Sequence, residues 1–233
     1  MTGAASAPKF ITLLTALNVT FLLVSDFTGA RVIGLYGVGV SVTVLYFPIT
    51  YLIGDVLTEV YGYAQSRRVI WISMFCSIAG SAIGGGQLAV PAAAFFGADA
   101  AYQTVFSPSL TISAAGLFAF FAGDISNSYV LAKLKIWDRG ERLWLRFVAS
   151  TIVGEGVNTL LFYGIVLRTV LPQGLLLRGV LMGWTIKVVV EVAMLPLSYR
   201  VVRFLKGAEG VDHYDHDTNF NPFLVHSGPQ DAA

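Results

Sequence analysis

Two carboxylates, Asp55 and Glu59, stand one helical turn apart in the apolar stretch YLIGDVLTEVYGYAQSRRVIW, and Asp124, Glu155, Lys187 and Glu191 interrupt other apolar runs. Residues three or four apart share a helix face. Asp55 with Glu59, Asp124 with Asn127, Glu155 with Asn158, and Lys187 with Glu191 therefore each make a polar patch. A carboxylate accepts paired N–H donors, and an ammonium or amide N–H2 donates to a carbonyl, so these eight residues form a candidate binding set for a small polar molecule. Five carboxylates against one ammonium leave negative charge that protons or a bound ligand must balance.

Each patch also has a plainer reading. Glu59 lies nearest the inner surface and can simply neutralise Arg67 and Arg68 or cap a helix hairpin. Lys187 and Glu191 can form a structural ion pair. Asn18, a lone amide, reads as helix-packing glue, and Gly84, Gly85 and Gly86 read as a close helix approach. Phe118, Phe120, Phe121, Phe162, Tyr163 and Trp184 lie on the same runs and serve either as stacking surfaces for a ligand or as lipid-facing and core filler.

The elements that carry these residues follow from composition. Of 233 residues, 55% are hydrophobic and 12% charged, and the mean hydropathy is +0.70, well above what one soluble core requires. This predicts an integral membrane protein, in which a charge at the bilayer centre costs about 2.5–3.5 kcal/mol and needs a partner or a water-lined cavity. A hydrocarbon layer about 30 Å thick asks for roughly 20 apolar residues per helix. Six such runs are present: Phe10 to Thr28, Gly37 to Tyr61, Val69 to Leu88, Pro108 to Leu131, Trp144 to Leu167 and Leu175 to Tyr199. The first is expected to persist as a span, because its apolar part is too long for a signal peptide and Asp26 stands where a cleavage site belongs.

Six spans place eleven Lys and Arg on one side of the membrane and three on the other, with Lys187 left inside a span. The basic-rich side faces the cytoplasm. The expected fold is thus all-α: a six-transmembrane-helix bundle over residues 1–206 with both termini cytoplasmic, followed by a polar cytoplasmic tail, 207–233. The net charge of +1 points away from a nucleic-acid partner, and the single Cys76 allows no intrachain disulfide. The apolar stretch from Gln87 to Ser107, broken by Pro91 and Gly97, reads as an outer-surface loop packed on its neighbours or as a lid dipping into the membrane. In the tail, His213, His216 and the neighbouring aspartates are expected to be solvated and to hold no metal.

Enzyme chemistry is disfavoured. All three His lie in the tail, leaving no HExxH motif or intramembrane Ser–His pair, and a Walker motif is absent. Neither catalytic residue nor cofactor is assigned. A faint internal repeat, GDVLTEVY at Gly54 with GDISNSYV at Gly123 and LNVTFLL at Leu17 with VNTLLFY at Val157, fits a transporter built from duplicated hairpins.

The block FPITYLIGDVLTEVYGYAQSRRVIW, the block LWLRFVASTIVGEGVNTLLFYGIVL and the FNPF of the tail together resemble the queuosine precursor transporter family, also called the vitamin uptake transporter family. The resemblance runs from Phe10 to Phe223 and is densest at Phe47, Pro48, Asp55, Glu59, Tyr61, Gly62, Arg67 and Arg68. It implies six helices in the inner membrane and uptake of 7-deazaguanine bases, the 7-cyano or 7-aminomethyl form, with lipid bilayer and small-molecule substrate as partners. In the family pattern a Gln commonly stands at the position of Asp124, a Gln or Asn at that of Glu155, and an Asp at that of Asn158. The polar positions persist while charges are exchanged, which bears on substrate identity more than on where the site lies. The competing assignment is the substrate-binding subunit of an energy-coupling factor transporter. A homodimer is a further expectation, from the small-residue face of Ala79, Gly80, Gly84 and Gly85.

Overall fold

The second apolar run does not fold as one helix. In the structure, a computed structural model describing residues 8–29, 31–107, 110–166, 168 and 173–224, strand β1 (Val32–Leu35) pairs antiparallel with β2 (Val38–Ser41), Val32 opposite Ser41 and Leu35 opposite Val38. Tyr36 and Gly37 make the two-residue turn, both at positive φ (48° and 77°), as a type I′ hairpin requires. A short 3₁₀ turn (Val42–Leu45), capped by the Ser41 hydroxyl accepting from Thr43 N–H, leads into helix α2 (Pro48–Tyr61). The cause is local: glycines and valines alternate through Val38, Gly39 and Val40, and β-branched residues favour strand over helix. Pro48 opens α2 at a position where a missing N–H costs nothing.

Six other helices surround this one among the described residues: α1 (Ile11–Thr28), α3 (Tyr63–Gly86), α4 (Asp99–Phe106), α5 (Leu110–Trp137), α6 (Leu143–Ile165) and α7 (Gln173–Glu209). Four stretches, Ile11–Thr28, Tyr63–Ala89, Leu143–Ile165 and Gly174–Glu209, are long and apolar enough to cross a membrane. Helix α2, with 14 residues, spans about 21 Å. Twelve of those residues are buried, because α2 packs at once against α1, α3, α5 and α7. It is the central pillar. Leu52, Val56, Leu57 and Val60 meet Leu131 of α5, Phe147 of α6, and Val202 and Leu205 of α7 in the largest apolar cluster.

Helices α5 and α6 meet backbone to backbone where Gly123 faces Gly154. A Cβ added at Gly123 would lie 2.7 Å from Asn158 Cβ and 3.0 Å from the Gly154 carbonyl oxygen, and one added at Gly154 would lie 2.6 Å from Asn127 Cβ. Only a residue without a side chain lets the two backbones meet this way.

Between Gln87 and Ser107 the chain forms a 3₁₀ turn, an exposed loop and α4. Phe106 stacks edge-on to Phe27 at 5.2 Å and lies over Gly84, while Gly80 faces Leu23 of α1. Two of the glycines expected to receive a second copy are therefore covered within the chain.

The tail departs from its expected solvation. Helix α7 continues through Glu209, past the boundary expected at residue 206, and the chain then folds back over the ends of α2, α3 and α5. Both Asp215 carboxylate oxygens accept from Tyr63 N–H at the start of α3 (3.0 and 3.1 Å). Arg67 donates to the carbonyls of Asn219 (2.6 Å) and Asn221 (3.0 Å), and Trp71 Nε1 donates to that of Pro222 (2.8 Å). Phe220 of the FNPF motif sits against Tyr63 and under Lys133 Nζ, 3.8 Å from its ring centroid. Residues 225–233 of the tail, and the expected span limits Pro108 and Leu167, lie outside the described residues.

Candidate functional site

Three of the four central acidic residues follow a glycine, as Gly54–Asp55, Gly123–Asp124 and Gly154–Glu155, while Glu191 follows Val190. The glycine contact between α5 and α6 brings Asp124 and Asn127 alongside Glu155 and Asn158, and α2 and α7 complete the enclosure with Asp55, Lys187 and Glu191. Asn127 Nδ2 donates to Asp55 Oδ1 at 2.6 Å. Lys187 Nζ donates to Glu155 Oε2 at 2.7 Å and to Asn158 Oδ1 at 3.0 Å, with Thr159 Oγ1 at 3.5 Å. Asp124 neighbours Glu155, Lys187 and the Tyr51 hydroxyl, and Glu191 neighbours Asp55 and Glu155. Seven of the eight expected residues thus share one buried centre.

The pairing within that centre differs from the expected one. Lys187 does not bond Glu191, one turn along its own helix; both Glu191 oxygens lack a hydrogen-bond partner. Glu155 and Asn158, on facing α6, offer the ammonium two acceptors, and this outcompetes the local i, i+4 contact. Asp55 Oδ2, Asp124 Oδ1, Asn127 Oδ1 and Glu155 Oε1 are likewise buried and unpartnered. Buried polar atoms are rarely left so, because each forfeits solvation worth roughly 1–3 kcal/mol. Their concentration here makes this centre the candidate site.

Glu59 is the residue the structure sets apart. Although it lies one turn from Asp55, its carboxylate accepts from Arg146 Nε and Nη2 (both 2.9 Å) and from Lys206 Nζ (2.7 Å), with Lys135 Nζ at 3.6 Å. Asp138 pairs Arg146 at 3.0 Å, and Asp212 pairs Lys135 at 2.6 Å and Lys206 at 2.8 Å. Three cations and three carboxylates close a balanced knot joining α2, α5, α6, α7 and the tail. Neither Arg67 nor Arg68, the partners considered from sequence, takes part. Burial pushes the Asp212 carboxyl up, but hydrogen bonds from Lys135 and Lys206 outweigh it and hold Asp212 below the usual carboxylate range.

Two aromatic residues at the centre were not among those expected to stack. Lys187 Nζ lies 4.6 Å from the Phe47 ring centroid, and Tyr51, packed beside Phe47, donates its hydroxyl to the Gly154 carbonyl at 3.2 Å. Of the six aromatics expected to stack, Phe118 is exposed, Phe121 packs on Trp71 and Phe223, and Trp184 donates to the Ile152 carbonyl at 3.2 Å. Phe162 and Tyr163 pair with each other, Tyr163 belonging to an apolar cluster with Val180. Phe120 remains near the centre, clustered with Phe47 and Tyr51. Asp26, on α1, accepts a short hydrogen bond from Ser77 of α3. In the sequence Phe47 and Tyr51 precede Asp55 by eight and four residues, the helical spacing of one face.

A profile described as "Putative vitamin uptake transporter" matches residues 41–201, which carry all eight of these polar residues. The chain belongs to the vitamin uptake transporter family. With its apolar helices, this makes it a multi-pass membrane transporter and not an enzyme. A curated relative, "Probable queuosine precursor transporter" of Bacillus subtilis (strain 168), is 23% identical over 180 residues, covering 77% of this chain and 79% of that protein. No solved structure matches the transporter.

Proposed function

We propose that the protein is an inner-membrane uptake transporter for queuosine precursors, binding a 7-deazaguanine base at the buried centre formed by α2, α5, α6 and α7. The observation that carries this reading is the convergence of seven polar residues from four helices on unpartnered acceptor atoms, sealed from lipid. A deazaguanine presents adjacent ring N–H and amino donors and one ring carbonyl, and carboxylates with an Asn amide complement both. Phe47 and Tyr51 supply aromatic faces beside them. The relative's name supports the substrate class.

In this reading α1, α2 with its hairpin, α3, α5, α6 and α7 make six crossings with both termini cytoplasmic, consistent with basic residues gathered around the Glu59 knot. The knot and the docked tail seal the cytoplasmic end below the binding centre. Substrate release then requires that end to part, so the arrangement corresponds to a closed state of an alternating-access cycle.

The test is uptake of radiolabelled 7-deazaguanine bases by a host that lacks both its own precursor transporter and energy-coupling factor components. Uptake dependent on this chain alone supports a self-sufficient carrier. Uptake that appears only when ATPase and coupling subunits are supplied supports the substrate-binding-subunit assignment instead, and no uptake of any base under either condition refutes the substrate class.

A further inference from the structure

If the buried centre takes a deazaguanine base, as proposed above, its hydrogen-bonding inventory discriminates between forms of that base. The donors are largely committed. Lys187 is spent on Glu155, Asn158 and Thr159, Asn127 Nδ2 on Asp55, and the Tyr51 hydroxyl on the Gly154 carbonyl. The N–H2 of the Asn158 amide, whose oxygen faces Lys187, is left for one ring carbonyl. What is left over is acceptor: Asp55 Oδ2, Asp124 Oδ1, Asn127 Oδ1, Glu155 Oε1 and both oxygens of Glu191, all buried and unpartnered. Four carboxylates, each no more than 5% exposed, meet one ammonium. An occupant bringing N–H donors and positive charge would take the place of the protons these carboxylates otherwise need.

We propose that the site selects the cationic, aminomethyl-bearing class of deazaguanine over the neutral, nitrile-bearing class, and that Glu191 and Asp124 divide the recognition. The paired N–H donors of the guanine edge need a carboxylate with two free oxygens, since two parallel hydrogen bonds require both. Glu191 has them. Asp55 and Asp124 each retain one free oxygen, a geometry suited to an ammonium, which spreads its three donors over separate acceptors. A nitrile at that place would set its nitrogen lone pair against carboxylate oxygens, with no donor between them. Glu191 thus reads the ring common to both classes, and Asp124 reads the substituent that separates them.

The measurement is calorimetric titration of the purified, detergent-solubilised full chain with 7-aminomethyl-7-deazaguanine and with 7-cyano-7-deazaguanine. The aminomethyl form is expected to bind at least about tenfold more tightly, the worth of one charge-assisted hydrogen bond. Asp124→Asn is expected to bring the two affinities within about threefold of each other, while Glu191→Gln weakens both in parallel. Equal or tighter binding of the cyano form by the wild-type protein overturns the inference and leaves the transporter reading standing. Binding of neither form overturns both. An Asp124→Asn protein that binds with the wild-type preference contradicts the role given to Asp124, and the wild-type ratio tests the selectivity even if a variant fails to fold.

Discussion

Lys187 Nζ lies 2.7 Å from Glu155 Oε2 across the α6–α7 interface, and Glu191, one turn along α7 from Lys187, is left without a hydrogen-bond partner. Removing one member of such a buried pair strands the other's charge, at a cost of about 3–5 kcal/mol. Lys187→Met is therefore expected to lower thermal stability in detergent sharply. Adding Glu155→Gln should restore much of the stability without restoring base binding, whereas adding Glu191→Gln should not restore stability. Recovery by the Glu191 change instead would mean that the pairing runs along α7.

Glu59 is held by Arg146 and Lys206 with Lys135 close by, and its task is to hold together the end of the bundle on which the tail docks. Glu59→Gln leaves three buried or half-buried cations undercompensated. A loss of about 3 kcal/mol or more is expected, read as a lowered melting temperature and reduced membrane yield. A Glu59→Gln protein of wild-type stability that has lost base binding would move Glu59 into the binding site.

The tail is expected to remain docked at neutral pH. Burial works against the Asp215 carboxylate, but hydrogen bonds from the His213 and Thr218 side chains and from Tyr63 N–H together hold it below the usual carboxylate range. A depressed folded-state value means that its contribution is complete above the unfolded value near pH 4 and is lost as pH falls through the folded one. Fluorescence of Trp71, which donates to the Pro222 carbonyl at 2.8 Å, should be steady from pH 5 to 8 and change only in stronger acid. Asp215→Ala, removing a helix cap worth about 1 kcal/mol, should produce the same change at neutral pH. No change in either case would mean that the tail is not held by this cap.

Gly123 and Gly154 decide whether the centre exists at all. A side chain at either meets backbone oxygen on the facing helix, 3.0 Å away from Gly123 and 2.9 Å from Gly154, and backbone cannot step aside as a side-chain tip can. Gly154→Val is expected to abolish base binding, with a stability loss of roughly 1–3 kcal/mol, while Gly54→Ala, whose added Cβ meets nothing within 4 Å, should leave binding intact. Wild-type binding by Gly154→Val would show that α5 and α6 need not touch there.

The buried polar centre was more legible in sequence than the architecture around it. A charge in an apolar run is visible without any structure, and helical spacing correctly assigned Asp124 with Asn127, and Glu155 with Asn158, to common faces. Spacing says nothing about contacts between helices. Glu59 therefore looked like a neighbour of Asp55 and Arg67, although its partners, Arg146 and Lys206, lie 87 and 147 residues away. Hydropathy also does not distinguish a strand from a helix, so the Gly–Val alternation at Val38 to Val40 passed as part of a span. In the tail, polar composition suggested solvent, but its backbone carbonyls are what Arg67 and Trp71 require, and a backbone acceptor leaves no trace in side-chain composition.

Asp55 is the residue on which the proposed binding site turns, because its Oδ1 is fixed by Asn127 and its Oδ2 is buried and open. The direct measurement is uptake of a radiolabelled 7-deazaguanine base by cells expressing Asp55→Asn, normalised to the amount of folded protein in the membrane. If Asp55 holds the base, uptake falls to background at wild-type membrane levels. Wild-type uptake by that variant would contradict it.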